Sequence, residues 1–409
     1  MKQSAVLRSI LACFLIAAFL HAADQTQFTE IAAIEDGLSA ITGLRFTRKV
    51  PYAVINKEQL RRYLEQRIKD AIKPAELRAE ELTLKMLGLV PSDFDLRQNT
   101  VDLMTEQAAA FYDYNKKKLF ILEGTANGAE ERVALVHELA HALADQHFRL
   151  GKYIHEGSRS DDGSTARLAV MEGQASWLMT AYMSKEAGGE AEVPAQMLDM
   201  MSRGIAASAA QYPVFSKAPA YIRESLVFPY SSGMLFQDAV YRKLGKDSFS
   251  EVFRNPPAGT QQILHPERYL AHTVSKNPSP PAVPQSRALR ILAEGNLGEF
   301  DYRVLLTQHA GKEEGAAAAA HLAGSAYELL EYKRGKSPVL AFASTWDSEE
   351  SARKFFDLYR GVMKAKWKKL EITSDAPSSV EGRGDSGYFR VWLAGATVNH
   401  IEGAESRLH

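Results

Sequence analysis

His137 and His141 stand four residues apart, and Glu138 follows the first of them, giving an H-E-x-x-H pattern. On a helix, residues four apart lie one above the other on the same face, so this spacing brings both imidazoles within reach of one metal ion. Glu138 sits one step round the helix, placed to accept a proton from a water at the metal without being a ligand itself. Two histidines and a carboxylate suit one zinc ion and leave a position for water. The third ligand is expected from Glu172, in the run Met171-Glu172-Gly173-Gln174-Ala175. Its small neighbours would let a second helix approach closely, and a buried carboxylate requires a partner. Glu156, Asp161 and Asp162 compete for that role but stand among Gly and Ser residues that read as an exposed loop. Asp145, one turn beyond His141, is placed either to orient an imidazole or to be solvated at the surface. His147 and His155 read as solvated.

The elements that must position these groups follow from periodicity. A helix is expected over 129–149, opened by Glu130 and Glu131, with Val133, Val136, Leu139, Ala140 and Leu143 as its apolar face. Glu172 falls in a second helix over 164–185. Helices are expected upstream at 57–70 and 75–87 and downstream at 193–210 and 231–244, with a hairpin over 108–114 and 118–122 turning at Asn115 and Lys116. The stretch 277–285, from Asn277 through Pro278, Pro280, Pro281 and Pro284, can continue neither a helix nor a central strand. It separates residues 24–276 from a smaller part, 286–409. There, strands are expected over 327–332 and 339–346, then a helix over 348–367 capped by Asp347, then a hairpin around Gly395. Lys364, Lys366, Lys368 and Lys369 read as a basic helix end favoured by the dipole. Trp346, Trp367 and Trp392 read as a small core.

Composition narrows the classes. The chain has 409 residues, 49 Lys+Arg against 50 Asp+Glu, 45% hydrophobic residues and one Cys. That balance gives no electrostatic footprint for nucleic acid, and a single Cys excludes disulfide scaffolds and Cys-ligated zinc. Residues 1–23 read as a secretory signal peptide: Lys2 and Arg8, an apolar run over 10–20, then His21-Ala22-Ala23. The run is shorter than the roughly 20 residues needed to span a bilayer. Cys13 precedes most of that run, against the order in a lipoprotein signal. The mature protein is therefore expected to be exported, periplasmic or secreted, without an integral membrane span.

His137-Glu138-x-x-His141 with a downstream Glu172 resembles the gluzincin, thermolysin-like clan of zinc metallopeptidases. A closer likeness is to poorly characterised bacterial secreted or lipoprotein metallopeptidases, carried also by Asp145-Gln146-His147-Phe148, Glu172-Gly173-Gln174-Ala175, Phe228-Pro229-Tyr230-Ser231-Ser232-Gly233 and Gln262-Ile263-Leu264-His265-Pro266. The resemblance implies an α+β fold: a mainly helical zincin-like domain with a small sheet, followed by a small α+β C-terminal domain. It implies a loop inserted over 151–163, since the gap from His141 to Glu172 is longer than in thermolysin. It also implies Tyr230, with His265 as the alternative, as a hydrogen-bond donor to a tetrahedral oxyanion; a packed aromatic is the competing reading of Tyr230. The strand over 118–122 would then line the cleft and pair with an extended peptide.

The activity expected on these grounds is zinc-dependent hydrolysis of peptide bonds in a polypeptide substrate, with Glu138 as general base. A non-catalytic, zinc-stabilised exported binding or assembly protein is the alternative, as is zinc hydrolysis of a non-peptide amide or ester. No partner of the C-terminal part is legible.

Overall fold

The computed structural model describes residues 26–71, 73–107, 109–123, 129–157, 160–189, 193–284 and 286–408. The expected signal peptide and Cys13 lie outside the described residues. The fold is α+β. Its first part is built from α1 (Thr26–Thr42), β1 (Tyr52–Ile55), α2 (Lys57–Ala71), α3 (Pro74–Leu87), α4 (Leu96–Gln107), β2 (Ala110–Asp113), β3 (Lys118–Leu122), α5 (Ala129–Phe148), α6 (Leu150–Gly157) and α7 (Asp161–Glu186). It continues with α8 (Ala195–Ala209), α9 (Pro213–Lys217), α10 (Ala220–Leu244), α11 (Ser248–Arg254), α12 (Thr260–Leu264) and α13 (Pro266–Leu270).

The centre of this part is a helix trio, α5, α7 and α10. Helix α5 is apolar nearly all round its middle: Leu135, Val136, Leu139, Ala142 and Leu143 are at most 1% exposed, as a helix without a polar face must be. Helices α7 and α10 cross at Gly173 and Gly233, where a Cβ on either would overlap the backbone of the other helix. Glycine is what lets the two backbones touch.

The small sheet has the order β1-β3-β2, with β1 parallel and β2 antiparallel to β3. The hairpin expected around Asn115 and Lys116 is present, but its second strand is central. Both edges of β3 are occupied, so it has no free edge for a peptide; the outer strand beside α5 is β2.

Two other expectations differ from the structure. Helix α10 starts at Ala220 and runs through Pro229, so Tyr230 lies in mid-helix rather than at a helix start. The loop expected over 151–163 is mostly α6, and α7 begins at Asp161 with Ser160 as its N-cap, accepting from Gly163 N.

The C-terminal part comprises β4 (Leu289–Gly295), α14 (Glu299–Ala310), α15 (Lys312–Ala319), β5 (Leu322–Tyr332), β6 (Pro338–Trp346), α16 (Glu349–Lys366), β7 (Glu371–Ala376), β8 (Ser379–Gly384), β9 (Gly387–Ala394) and β10 (Thr397–Ala404). Its seven strands form one antiparallel sheet, β4-β5-β6-β10-β9-β8-β7. Phe355, Phe356 and Tyr359 of α16 pack against it, with Trp346 and Trp367 also buried and Trp392 half-buried. Ser348, not Asp347, caps α16, because its hydroxyl accepts from Ser351 N; Asp347 bonds His321 instead, at 2.6 Å.

One cluster of buried apolar side chains runs from Ile31 in α1 to Val398 in β10. Polar ties cross with it. Arg78 of α3 and Arg290 of β4 both donate to the fully buried Glu331, at 2.6 and 2.5 Å. Lys366 is not a solvated helix-end charge: its side chain is 3% exposed, paired with Glu402 and donating to Met86 O at the end of α3. Burial lowers its pKa, against the pull of Glu402. No helix among the described residues is long and apolar enough to cross a membrane.

Candidate metal centre

The structure brings four of the singled-out side chains together. His137, Glu138 and His141 project from α5 with their ligand atoms within 4.8 Å of one another. Glu172 reaches them from α7. Its Oε2 lies 3.1 Å from Nε2 of His137 and 3.1 Å from Nε2 of His141, and the two Nε2 atoms are 3.0 Å apart. All four residues are buried, Glu172 completely.

This triangle fits a metal. The ligand–ligand edges of a zinc tetrahedron with bonds of about 2.0–2.1 Å are about 3.3 Å, close to the spacing found. Two imidazoles and a carboxylate are also a donor set that zinc takes. The remaining atoms of the triad, His137 Nδ1, His141 Nδ1 and Glu172 Oε1, have no hydrogen-bond partner among the described residues. Aiming three polar atoms at one point while leaving their other ends unsatisfied is costly in a dry interior, unless an ion at that point repays it.

The three groups also act on one another's charge. Burial lowers the pKa of His137, with Glu172 working against it. Burial also works against charge on His141, but the Glu172 carboxylate outweighs it and raises that pKa. Burial would raise Glu172, yet the two imidazoles prevail and lower it. The Glu172 carboxylate thus favours positive charge on the two imidazoles, and they favour its negative charge, each against the effect of burial.

Glu138 is held differently. Its Oε2 accepts from the backbone N–H of Tyr112 in β2, at 2.7 Å. Burial pushes its pKa up to about 8; the neighbouring His141 and this amide oppose the rise, and Glu172 adds to it. The strand that holds Glu138 is itself anchored to the same helix. Tyr112 donates its hydroxyl to Asp145 Oδ2 at 2.9 Å, and Lys117 Nζ and Leu150 N donate to Oδ1. Asp145 therefore ties α5 to the hairpin and to the start of α6; neither imidazole is its partner. Tyr112 carried no sequence signal for this role, because any residue but proline offers a backbone N–H.

Tyr230 is buried with its ring stacked on His137, centroids 5.7 Å apart and planes at 22°. The preceding Pro229 has no N–H to donate within the helix, so the regular bonding of α10 is interrupted beside the centre. His265 is not part of the group; its Nε2 pairs with Glu299 at 2.8 Å. Asp161 and Asp162 are not in an exposed loop but buried in the first turn of α7. Glu156, His147 and His155 are exposed.

Comparison with known proteins adds little about chemistry. Residues 288–408 match a family model described as a domain of unknown function, DUF8575. No curated protein matches the chain in sequence. Among solved structures, one from Chloroflexus aurantiacus, described as a candidate hydrolase with a novel fold, aligns with a TM-score of 0.36 and 15% identity, covering 66% of this chain and 96% of that one. A likeness at that level carries no inference about activity.

Proposed function

We propose that the chain is an exported zinc metallopeptidase of gluzincin type, with His137, His141 and Glu172 as ligands and Glu138 as general base. The observation that carries this reading is the convergence of two Nε2 atoms and one carboxylate oxygen, mutually 3.0–3.1 Å apart, beside a buried carboxylate that is not part of the triangle. A zinc ion there supplies polarisation of the scissile carbonyl and a water whose pKa falls toward about 7.

The chain's own residues do the rest. The Tyr112 amide fixes Glu138 Oε2 and so orients the carboxylate. Glu138 Oε1 takes the proton of the attacking water and hands it to the leaving amide nitrogen. The phenol of Tyr230, on the ring stacked against His137, donates to the oxygen on which negative charge grows. Apolar side chains of α5 exclude bulk water, which strengthens each of these interactions. Residues 24–276 would carry the reaction, 277–285 would be the linker, and 286–409 would be a second unit.

Replacing Glu138 by Gln tests the scheme, because the amide oxygen still accepts from Tyr112 while the proton acceptor is gone. The variant should retain one zinc per chain and lose cleavage of an unstructured polypeptide; unchanged cleavage defeats the proposal. The deep burial of the centre, at most 5% exposure for all four residues, favours one second reading, an ion that stabilises the fold without catalysis. In that case wild-type protein would hold zinc, resist chelators and cleave no polypeptide, amide or ester.

A further inference from the structure

Helix α7, which carries Glu172, begins against the C-terminal part. Ser160, its N-cap, donates its hydroxyl to Asn296 Oδ1 at 2.9 Å, and the same oxygen accepts from Asp161 N at 3.1 Å. Asn296 lies between β4 and α14, so this end of the helix is capped from a distant stretch of chain. The next two side chains are pinned as well. Asp161 Oδ2 accepts from the Tyr327 hydroxyl of β5 at 2.8 Å. Asp162 Oδ1 accepts from Thr260 N and Oγ1, at 2.8 and 2.6 Å. Gly295 and Gly298 flank Asn296, and a Cβ on either would strike one of these two carboxylates. The 295–298 backbone therefore lies directly on the first turn of α7. Ser325 fixes it from behind, accepting from Leu297 N and donating to Leu297 O.

We propose that Asn296 and Tyr327 are positioning residues for the metal centre: through α7 they set where the Glu172 carboxylate stands. The inference rests on the metal reading above. Asn296 fixes the axial height of the helix, because it bonds the capping residue and the first turn. Asp161 and Asp162 point about 100° apart around the axis, so pinning both fixes rotation. Glu172 lies eleven residues beyond Asp161, about 16 Å along a helix that behaves as a rod over three turns. A carboxylate about 6 Å from the axis moves by about 1 Å when the helix turns through about 10°. Metal–ligand distances tolerate only about 0.2 Å. A small loosening at the N-terminus is thus large at the metal.

The test is metal affinity, measured for the full chain by chelator competition with Zn2+ and by the visible ligand-field band of Co2+. Asn296→Leu removes the cap and should weaken Zn2+ about tenfold, the lower end of what supporting partners of metal ligands contribute, with a shifted Co2+ band. Asn296→Asp keeps an acceptor for the same N–H groups and should bind like wild type. Tyr327→Phe deletes one hydroxyl and should weaken binding by a smaller factor; it decides the matter if Asn296→Leu does not fold. Val398→Ala, in the buried core of the C-terminal sheet, lowers general stability and should leave affinity unchanged. Wild-type affinity in both Asn296→Leu and Tyr327→Phe, or in Tyr327→Phe alone where Asn296→Leu does not fold, or an equal loss in Val398→Ala, overturns the inference. Wild-type protein that binds no metal instead overturns the proposed function.

Discussion

Replacing Gly173 by alanine adds one methyl group where α7 and α10 touch backbone to backbone. A Cβ there would stand 2.1 Å from the carbonyl carbon of Gly233, where ordinary contact begins at 3.4 Å. The obstacle is backbone, so no rotamer change relieves it; α7 and α10 must part by about 1.3 Å in an interior packed like a crystal. Overpacking of this kind costs about 1–3 kcal/mol, and a backbone–backbone overlap belongs at the upper end. Glu172 is the adjacent residue, so most of that displacement reaches its carboxylate, several times the tolerance of about 0.2 Å for a metal bond. Urea unfolding and Zn2+ competition on the same sample should show about 3 kcal/mol lost and affinity reduced at least tenfold. Gly361→Ala provides the contrast, since a Cβ at that α16 position meets nothing within 4 Å. It should gain up to about 1 kcal/mol from helix propensity and leave the metal untouched. Wild-type stability in Gly173→Ala would refute the packing argument. Lost stability with undiminished affinity would refute the link from the crossing to the centre.

Three further outcomes are expected. His141→Ala should lose stoichiometric metal by elemental analysis and, with Glu172 left buried without that partner, about 3–5 kcal/mol of stability; retained zinc would refute the ligand assignment. Lys366→Met should cost a similar 3–5 kcal/mol by stranding Glu402, and the double variant Lys366→Met/Glu402→Leu should recover most of it in urea unfolding. His400 is fully buried between Phe342 and Tyr359 with neither ring nitrogen partnered among the described residues. Burial, helped by Lys366, lowers its pKa well below 6.5. The unfolded chain therefore takes up a proton near pH 6.5 that the folded chain refuses, and stability must fall as pH drops below that value. The loss at about pH 5 reaches at most about 2 kcal/mol, and His400→Phe should remove that share of the acid sensitivity in unfolding titrations at about pH 7 and about pH 5.

Much of this was legible because its signals are local. His137, Glu138 and His141 share a helix by covalent spacing alone, and periodicity marked most of the helices while the α+β class came from the family resemblance. Glu172 stood out because an acid flanked by Gly and Ala on an apolar helix has few purposes. Asp161 and Asp162 were misread for the converse reason. Their immediate neighbours are polar and small, while the groups that bury them, Thr260 and Tyr327, lie 98 and 166 residues away. Lys366 looked like a dipole partner because nothing nearby announces Glu402 or the carbonyl of Met86. Strand β8, Ser379–Gly384, alternates small and charged residues, which gives no apolar period to detect. The central place of β3 is a matter of topology: β1 joins its far edge from 67 residues upstream, which no local pattern records.

The proline-rich stretch before β4, partly exposed but with Val283 buried, has a mechanical consequence. Arg78, Glu331, Lys366 and Met86 hold the parts on either side of it together, so severing it would break the chain without parting the pieces. The nicked molecule would migrate as one particle and melt in one step. Two separately expressed fragments ending and starting there would find each other as a natural split-protein pair.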